Sequence, residues 1–163
     1  MRNGFENIEH WVFDLDDTLY SPEISLFDEI KVLMTRYVQT ALNITEAEAN
    51  TLRKHYWEKY GTTLAGLMAE HDLAPDPFLK YVHEISLDAL TPDVELNNII
   101  SALDGRAIVY TNGSEHHARR VTTARGLHDC FSGFYGVEHA NYVPKPQKAA
   151  FEAIFELANI TPK

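Results

Sequence analysis

Three carboxylates follow a short apolar segment near the start of this chain, in the stretch WVFDLDDTLY that covers residues 11–20. Asp14 and Asp16 are two residues apart, so their side chains point the same way if the backbone stays extended. Two crowded carboxylates raise the pKa of one of them unless a cation intervenes. Mg²⁺ would remove this conflict, because it favours oxygen ligands and keeps several waters. The alternative interpretation is a solvated loop in which one aspartate caps a turn.

Two further polar clusters occur later, each after an apolar segment. Thr111, Asn112 and Gly113 offer a hydroxyl, an amide and main-chain N–H groups beside a predicted helix start, which suits a phosphoryl group. Lys145 stands between two prolines, whose restricted backbone can aim one ammonium group. Taken alone, residues 111–113 could be an ordinary turn, and Lys145 could be a solvated surface lysine.

Taken together, these groups match the needs of phosphate ester hydrolysis, which are a nucleophile, a proton donor, a metal and neutralising cations. Asp14 can attack phosphorus and form an aspartyl-phosphate. Asp16 can protonate the leaving alcohol and then activate water. Thr111 and Lys145 would hold the phosphoryl oxygens, and Mg²⁺ would bridge Asp14 and the phosphoryl group. We therefore predict a small phosphate ester as the substrate.

Alternating strands and helices must position these residues. Apolar and β-branched runs predict strands at residues 8–13, 106–110 and 133–137, and helical periodicity predicts helices between and after them. The fold class is therefore α/β, with a Rossmann-like doubly wound parallel sheet and an all-helical cap inserted after the first strand. We assign residues 1–20 and 89–163 to the core and residues 21–88 to the cap. The polar clusters then meet at the carboxyl ends of the strands.

The composition of the chain argues against several kinds of partner and cellular location. The chain has 24 acidic and 14 basic residues and a formal net charge of -10, which disfavours nucleic-acid polymers as partners. No apolar run approaches the ~18 residues of a membrane span, and the polar start lacks a signal peptide. The single cysteine, Cys130, fits a reducing compartment. We expect a cytoplasmic protein without a membrane partner.

The three clusters also resemble a known family. DLDDT at residues 14–18, TNG at residues 111–113 and KP at residues 145–146 resemble the first three motifs of the haloacid dehalogenase-like hydrolase superfamily. The stretches DLDDTLYSP, YGTTLAGLM and FYGVEHANYVPKP are similar to its pyrimidine 5'-nucleotidase branch. The resemblance implies a Mg²⁺-dependent phosphatase acting on pyrimidine nucleoside monophosphates.

The same resemblance assigns roles to individual residues. It makes Asp14 the nucleophile, Asp16 the acid and base, Thr111 and Asn112 the phosphate-binding residues, and Lys145 the charge clamp. The metal would be held by the Asp14 carboxylate and the main-chain carbonyl of Asp16.

The turn of Tyr60, Gly61, Thr62 and Thr63 would face the leaving group from the cap. Its plain alternative is a helix end followed by the N-cap of the next helix.

The resemblance breaks at the fourth motif, a further strand with acidic metal ligands, which the sequence lacks after Lys145. We therefore expect a truncated version of a longer hydrolase, with an incomplete sheet. The Trp11 strand would then have an open edge that could pair with a second copy to form a homodimer. The alternatives are a catalytically silent phosphate-binding fragment, a dehalogenase, which would lack the second aspartate of the motif, or a phosphomutase.

Two other patterns in the sequence are interpreted without a functional role. His116 and His117 are adjacent in a predicted helix, so their side chains diverge by ~100° and do not predict a metal pair. Trp11 and Trp57 are interpreted as packing residues.

Overall fold

The computed structural model describes residues 7–161, and its sheet has three parallel strands in the order β1-β2-β3. The strands are β1 (His10–Phe13), β2 (Arg106–Tyr110) and β3 (Phe134–Tyr135). Phe13 pairs with Val109, which in turn pairs with the first residue of β3. All three strands therefore end at the same edge, and the segments that follow them lie side by side.

Seven α-helices of the described residues surround this sheet. Their bounds are α1 Leu26–Leu42, α2 Glu46–Tyr60, α3 Thr63–His71, α4 Pro75–Val82, α5 Val94–Ser101, α6 Glu115–Ala124 and α7 Lys148–Leu157. Short 3-10 helices cover Pro22–Ile24, His128–Cys130 and Val137–Ala140. The first four α-helices all lie between β1 and β2 in the chain and pack on one another, α1 against α2 and α4, and α2 against α3.

The central strand β2 is buried on both faces, which explains its apolar sequence. Ala107 and Val109 belong to one core, together with residues of α6, while Ile108 and Tyr110 belong to a second core with α7. Helices thus cover both faces of a parallel sheet. The α/β, Rossmann-like class expected from the sequence is confirmed.

Local sequence signals fix several helix ends. The sequence Thr45-Glu46-Ala47-Glu48 predicts a capping box at the start of α2. It is present, since the Thr45 hydroxyl accepts the N–H of Glu48 and the Glu48 carboxylate accepts the Thr45 N–H. Gly61 ends α2 with φ +87, a left-handed conformation that favours glycine. Ser114 caps α6 by accepting the N–H of His117.

Three sequence expectations need correction. The sequence Thr91-Pro92 predicts an N-cap followed by proline in the first turn. Helix α5 instead begins at Val94, because the Asp93 carboxylate accepts the Leu96 N–H at 2.9 Å and takes the N-cap position. The last helix, which the sequence predicts from Pro146 to Leu157, begins at Lys148. Trp57 is not a packing residue, since 67% of its surface is exposed.

Helix α6 joins the sheet to the inserted helices. Arg125, just after α6, donates to the carbonyl of Leu19 at 3.2 Å and to the carbonyl of Thr91 at 2.5 Å, and it also binds Asp93. Leu19 lies shortly before the inserted helices and Thr91 shortly after them. One guanidinium therefore links the two connections between the sheet and this helical block.

Strand β1 lies at one end of the sheet order and pairs with β2. Val12, in the middle of β1, is 40% exposed. Strand β1 is therefore an edge strand of the sheet among residues 7–161, and pairing of this edge with a second copy stays a prediction. Among residues 7–161, no helix combines the length and apolarity needed to cross a membrane.

Candidate active site

A cavity of about 540 Å³ lies between the carboxyl edge of the sheet and helices α1–α4. Six of the sequence-predicted residues line it, namely Asp14, Asp16, Thr111, Asn112, Gly113 and Lys145. Thr62 and Thr63 line it from the helical side. Residues from four distant parts of the sequence thus meet around one space.

Asp14 and Lys145 form an ion pair at this cavity. The Nζ atom of Lys145 lies 2.7 Å from Oδ1 of Asp14 and 2.7 Å from the carbonyl oxygen of Tyr110. The Lys145 side chain is only 17% exposed, whereas the Asp14 side chain is 51% exposed. An ammonium group has three N–H donors, so the one not used in these two bonds can serve a ligand.

Asn112 holds the segment that carries Lys145. Its Oδ1 accepts the main-chain N–H of Lys145 at 2.7 Å, and its Nδ2 donates to the Lys145 carbonyl at 3.3 Å. On the other side of this segment, Gly61 packs near Pro144. The Asn112 side chain therefore positions the ammonium group, a function that the sequence reading did not anticipate.

Thr111 is buried, and its hydroxyl accepts the N–H of Gly113 at 2.9 Å. The hydroxyl hydrogen can still donate to a bound oxyanion. A Cβ at Gly113 would lie 3.2 Å from Nε2 of His83 and 3.3 Å from the Thr111 hydroxyl, so this position leaves little room for a side chain.

Asp16 is bound by two donors at one oxygen. The Tyr20 hydroxyl and the Nε2 atom of His117 each lie 2.9 Å from Oδ1 of Asp16. Burial alone would raise the pKa of this carboxyl, but the hydrogen bond and charge of His117 and the hydrogen bond of Tyr20 lower it overall. In turn, burial and the Asp16 charge raise the pKa of Tyr20. Asp16 is therefore ionised at neutral pH, and Tyr20 keeps its proton.

Two buried histidines support this carboxylate. The rings of His83 and His117 stack with centroids 4.2 Å apart and an angle of 7° between them. The Ser114 hydroxyl lies 3.0 Å from Nδ1 of His83, and the Arg120 guanidinium donates to the His83 carbonyl. Burial, followed by the charge of His117, lowers the pKa of His83 to about 3. His83 is therefore neutral above that pH.

The turn between α2 and α3 contains the remaining predicted residues, and only some of them line the cavity. The Thr62 hydroxyl accepts the Ala65 N–H at 3.1 Å and caps α3, as in the plain alternative, yet Thr62 and Thr63 both line the cavity. Tyr60 does not line it. Its hydroxyl donates to Glu70 at 2.8 Å, and Tyr60 instead lines a second pocket, which Gly61 and Lys145 also line.

The residues present fit a magnesium ion. Both hydrogen bonds to the Asp14 side chain, from Lys145 and from the Leu15 N–H, reach Oδ1, so the carboxylate keeps acceptor capacity for a metal ion. Magnesium commonly uses one or two protein oxygens and completes its shell with water and phosphate oxygens. The Asp14 carboxylate and the Asp16 carbonyl supply that number.

A second group of candidate metal ligands lies elsewhere. Among residues 7–161, Glu115, Glu138 and His139 place ligand atoms within 4.8 Å of one another. Nδ1 of His139 accepts the N–H of Gly136, so a neutral His139 carries its proton on Nε2, the atom that faces Glu115. A protonated Nε2 cannot bind a metal ion, which argues against a metal at this group.

Comparison with known proteins identifies the family of this chain. The family profile of haloacid dehalogenase-like hydrolases matches residues 8–163. The chain belongs to this hydrolase family. Phosphate metabolism protein 8 of Saccharomyces cerevisiae is 24% identical over 157 residues, covering 86% of this chain and 48% of that protein. The chain thus spans about half the length of this curated relative.

Solved structures show the same fold. The L-2-haloacid dehalogenase of Xanthobacter autotrophicus matches with a TM-score of 0.51, and its structure with covalently bound chloropropionic acid matches with a TM-score of 0.52. In both cases the identity is 18%, and the match covers 96% of this chain and 67% of the dehalogenase. These matches show that the chain and the dehalogenase share a fold.

Proposed function

We propose that this chain is a Mg²⁺-dependent phosphomonoester hydrolase that acts on pyrimidine nucleoside 5'-monophosphates through an aspartyl-phosphate. The observation that carries this proposal is the position of the Lys145 ammonium, 2.7 Å from the Asp14 carboxylate at the mouth of the shared cavity. Membership of the hydrolase family and the buried hydroxyl of Thr111 support it.

Asp14 is the nucleophile in this proposal. Lys145 and the Leu15 N–H both bind Oδ1, so they orient the carboxylate and leave Oδ2 to attack phosphorus. The bond from Oδ2 to phosphorus forms as the ester bond to the leaving oxygen breaks. The remaining Lys145 N–H and the Thr111 hydroxyl stabilise the charge on the phosphoryl oxygens.

Asp16 moves the protons. A phosphate dianion bound beside Asp16 raises the pKa of its carboxyl, which favours the protonated acid needed by the departing alkoxide. After the alcohol has left, the Asp16 carboxylate takes a proton from the water that attacks the aspartyl-phosphate. This second step releases inorganic phosphate and restores Asp14. Tyr20 and His117 hold the carboxylate at Oδ1 throughout.

The magnesium ion would be held by the Asp14 carboxylate and the Asp16 main-chain carbonyl. When bound, it supplies positive charge that lessens the repulsion between the anionic nucleophile and the anionic ester.

The cavity also suits the proposed substrate. Its volume of about 540 Å³ falls in the range of small-molecule pockets, roughly 300–1,000 Å³. The helical wall adds apolar side chains that can contact a base, including those of Phe27 and Phe78. The sequence likeness of residues 60–68 to the pyrimidine nucleotidase branch agrees with this assignment.

Phosphate release from UMP, CMP and p-nitrophenyl phosphate, measured with Mg²⁺ and with EDTA, tests the proposal. We expect release with Mg²⁺ from the wild type and none from Asp14→Asn. Chloride release from 2-chloropropionate without a metal would instead identify a dehalogenase. Binding of phosphate without any turnover would identify a silent binding protein.

A further inference from the structure

The helical wall of the cavity carries a cation with no carboxylate partner. Arg53 on α2 lines the same cavity as Asp14. Its Nε atom is buried without a hydrogen-bond partner, and no salt bridge joins its guanidinium to a carboxylate among residues 7–161. Burial lowers the pKa of Arg53. A desolvated charge without a counter-charge destabilises a fold, so its retention at a cavity needs another explanation.

Lysines on the same helices differ from Arg53, because they are paired with carboxylates. Three lysines of α1 and α2 each contact a carboxylate, in the pairs Lys31–Asp28 at 2.8 Å, Lys54–Glu58 at 4.0 Å and Lys59–Glu70 at 2.9 Å. Carboxylates are plentiful in this acidic chain, yet none compensates Arg53 in the described part of it. Lys31 and Lys54 line the same cavity but are paired, so Arg53 is the cavity-lining cation of α1 and α2 that has no carboxylate partner among residues 7–161.

The Arg53 guanidinium is also fixed in place. One terminal nitrogen donates to the Thr35 hydroxyl at 2.7 Å, and the other contacts the Met34 sulfur at 3.6 Å. Thr35 is buried and donates in turn toward Oδ1 of Asn50, at 2.9 Å. A guanidinium has five N–H donors, and only one of them has a strong acceptor here. The Nε donor is buried, so the protein holds the side chain while the second N–H of each terminal nitrogen remains for a ligand.

The surroundings define the ligand further. Apolar side chains from α1 and α4 line the cavity beside Arg53, namely Phe27, Ile30, Met34, Phe78, Leu79 and Val82. An apolar body ending in oxygen acceptors fits such a lining, because the body packs on these side chains and the oxygens face the fixed donors.

We propose that Arg53 binds acceptor oxygens, carbonyl or carboxylate, on the ring of the leaving group, with Asn50 beside it. This inference rests on the proposed function, because it places the phosphoryl group at Asp14 and the ring at the opposite wall. Arg53 would thus select pyrimidines, whose rings carry such oxygens, over phosphate esters of plain sugars.

The test measures ligand binding separately from turnover. Wild type, Arg53→Lys and Arg53→Met are titrated with uridine, which offers carbonyl oxygens, and with orotidine, which adds a carboxylate. The same proteins are assayed for kcat/KM on UMP and on ribose 5-phosphate, which has no ring oxygens of this kind. We expect Arg53→Met to weaken nucleoside binding and kcat/KM on UMP by about 10-fold or more, with ribose 5-phosphate unaffected. A larger loss for orotidine than for uridine would identify the carboxylate as the favoured group.

Arg36→Met is the matched control, since Arg36 is exposed on α1 and does not line the cavity. Equal losses on UMP and ribose 5-phosphate, no loss on either, or no nucleoside binding by the wild type would overturn the Arg53 proposal. Failure of the proposed function has a different signature, since both phosphate esters would then stay intact while nucleoside binding still depends on Arg53.

Discussion

The Nε2 atom of His117 lies 2.9 Å from Oδ1 of Asp16, although the two residues are 101 positions apart in the chain. His117 is completely buried, and its ring stacks on His83. The helix that follows β2 therefore fixes the acidic turn that follows β1. Because the same carboxylate oxygen also binds Tyr20, the orientation of Asp16 depends on residues outside its own turn.

Removal of the His117 donor should impair proton transfer more than binding. We expect His117→Leu to lower kcat on UMP by about 10-fold or more, with a smaller change in KM. The loss on p-nitrophenyl phosphate should be smaller, because p-nitrophenolate leaves without a proton. His117→Gln, which can place an amide N–H near Asp16, should restore part of the activity.

The exposed neighbour His116 provides the control for this experiment, as His116→Leu. Equal losses of His117→Leu on both substrates, together with a lowered free energy of unfolding, would indicate general damage to the fold and contradict the positioning role.

The buried imidazole of His83 should make the protein sensitive to acid. Its pKa is about 3 in the folded protein, against about 6.5 in an unfolded chain. The unfolded chain therefore takes up the proton first, and the free energy of unfolding should fall as the pH drops below about 6.5, by at most about 1.4 kcal/mol per pH unit. His83→Asn can keep the bond to Ser114 without titrating, so it should flatten this dependence.

Urea unfolding between pH 4 and pH 7 measures the effect. His55→Asn serves as the control, since the His55 side chain is 52% exposed. Parallel curves for the wild type and His83→Asn would show that another group causes the acid sensitivity. The groups that act on His83 in the structure include His117, Asp16 and Arg120.

The Arg125 guanidinium should contribute to stability through its three acceptors. Arg125→Met would leave the carbonyls of Leu19 and Thr91 and the carboxylate of Asp93 without their donor. We expect a loss of about 2–3 kcal/mol in the free energy of unfolding. Chemical denaturation checks this value, with Arg36→Met expected to stay within about 0.5 kcal/mol of the wild type. A similar small change for Arg125→Met would rule out a stabilising role.

Much of the fold could be predicted because each strand signal was followed by a distinct polar cluster. The order of Asp14, Thr111 and Lys145 implied one shared site, since parallel strands end at a common edge. Helix ends were predicted well where one cap dominated, as at Thr45. Near α5, the Thr91-Pro92 pattern pointed to the wrong cap, and the sequence could not show that Asp93 also binds Arg125.

The histidine pair and Arg53 were missed for a different reason. His83, His117 and Arg53 acquire their surroundings only when the inserted helices pack against the sheet, and local sequence does not encode that contact. One signal was available, since Ser114 and His117 are three residues apart in a predicted helix and therefore share a face. That spacing places His117 next to the site edge, whereas no comparable spacing links His83 to it.

The most direct test of the account compares wild type and Asp14→Asn for phosphate release from UMP, with Mg²⁺ and after chelation with EDTA. Asp129→Asn is the matched control, because this aspartate is exposed and far from the cavity lining. We expect Mg²⁺-dependent release from the wild type and from Asp129→Asn, and a loss of about 1,000-fold or more in Asp14→Asn. Undiminished release by a folded Asp14→Asn protein would contradict the nucleophilic role of Asp14 and the mechanism built on it.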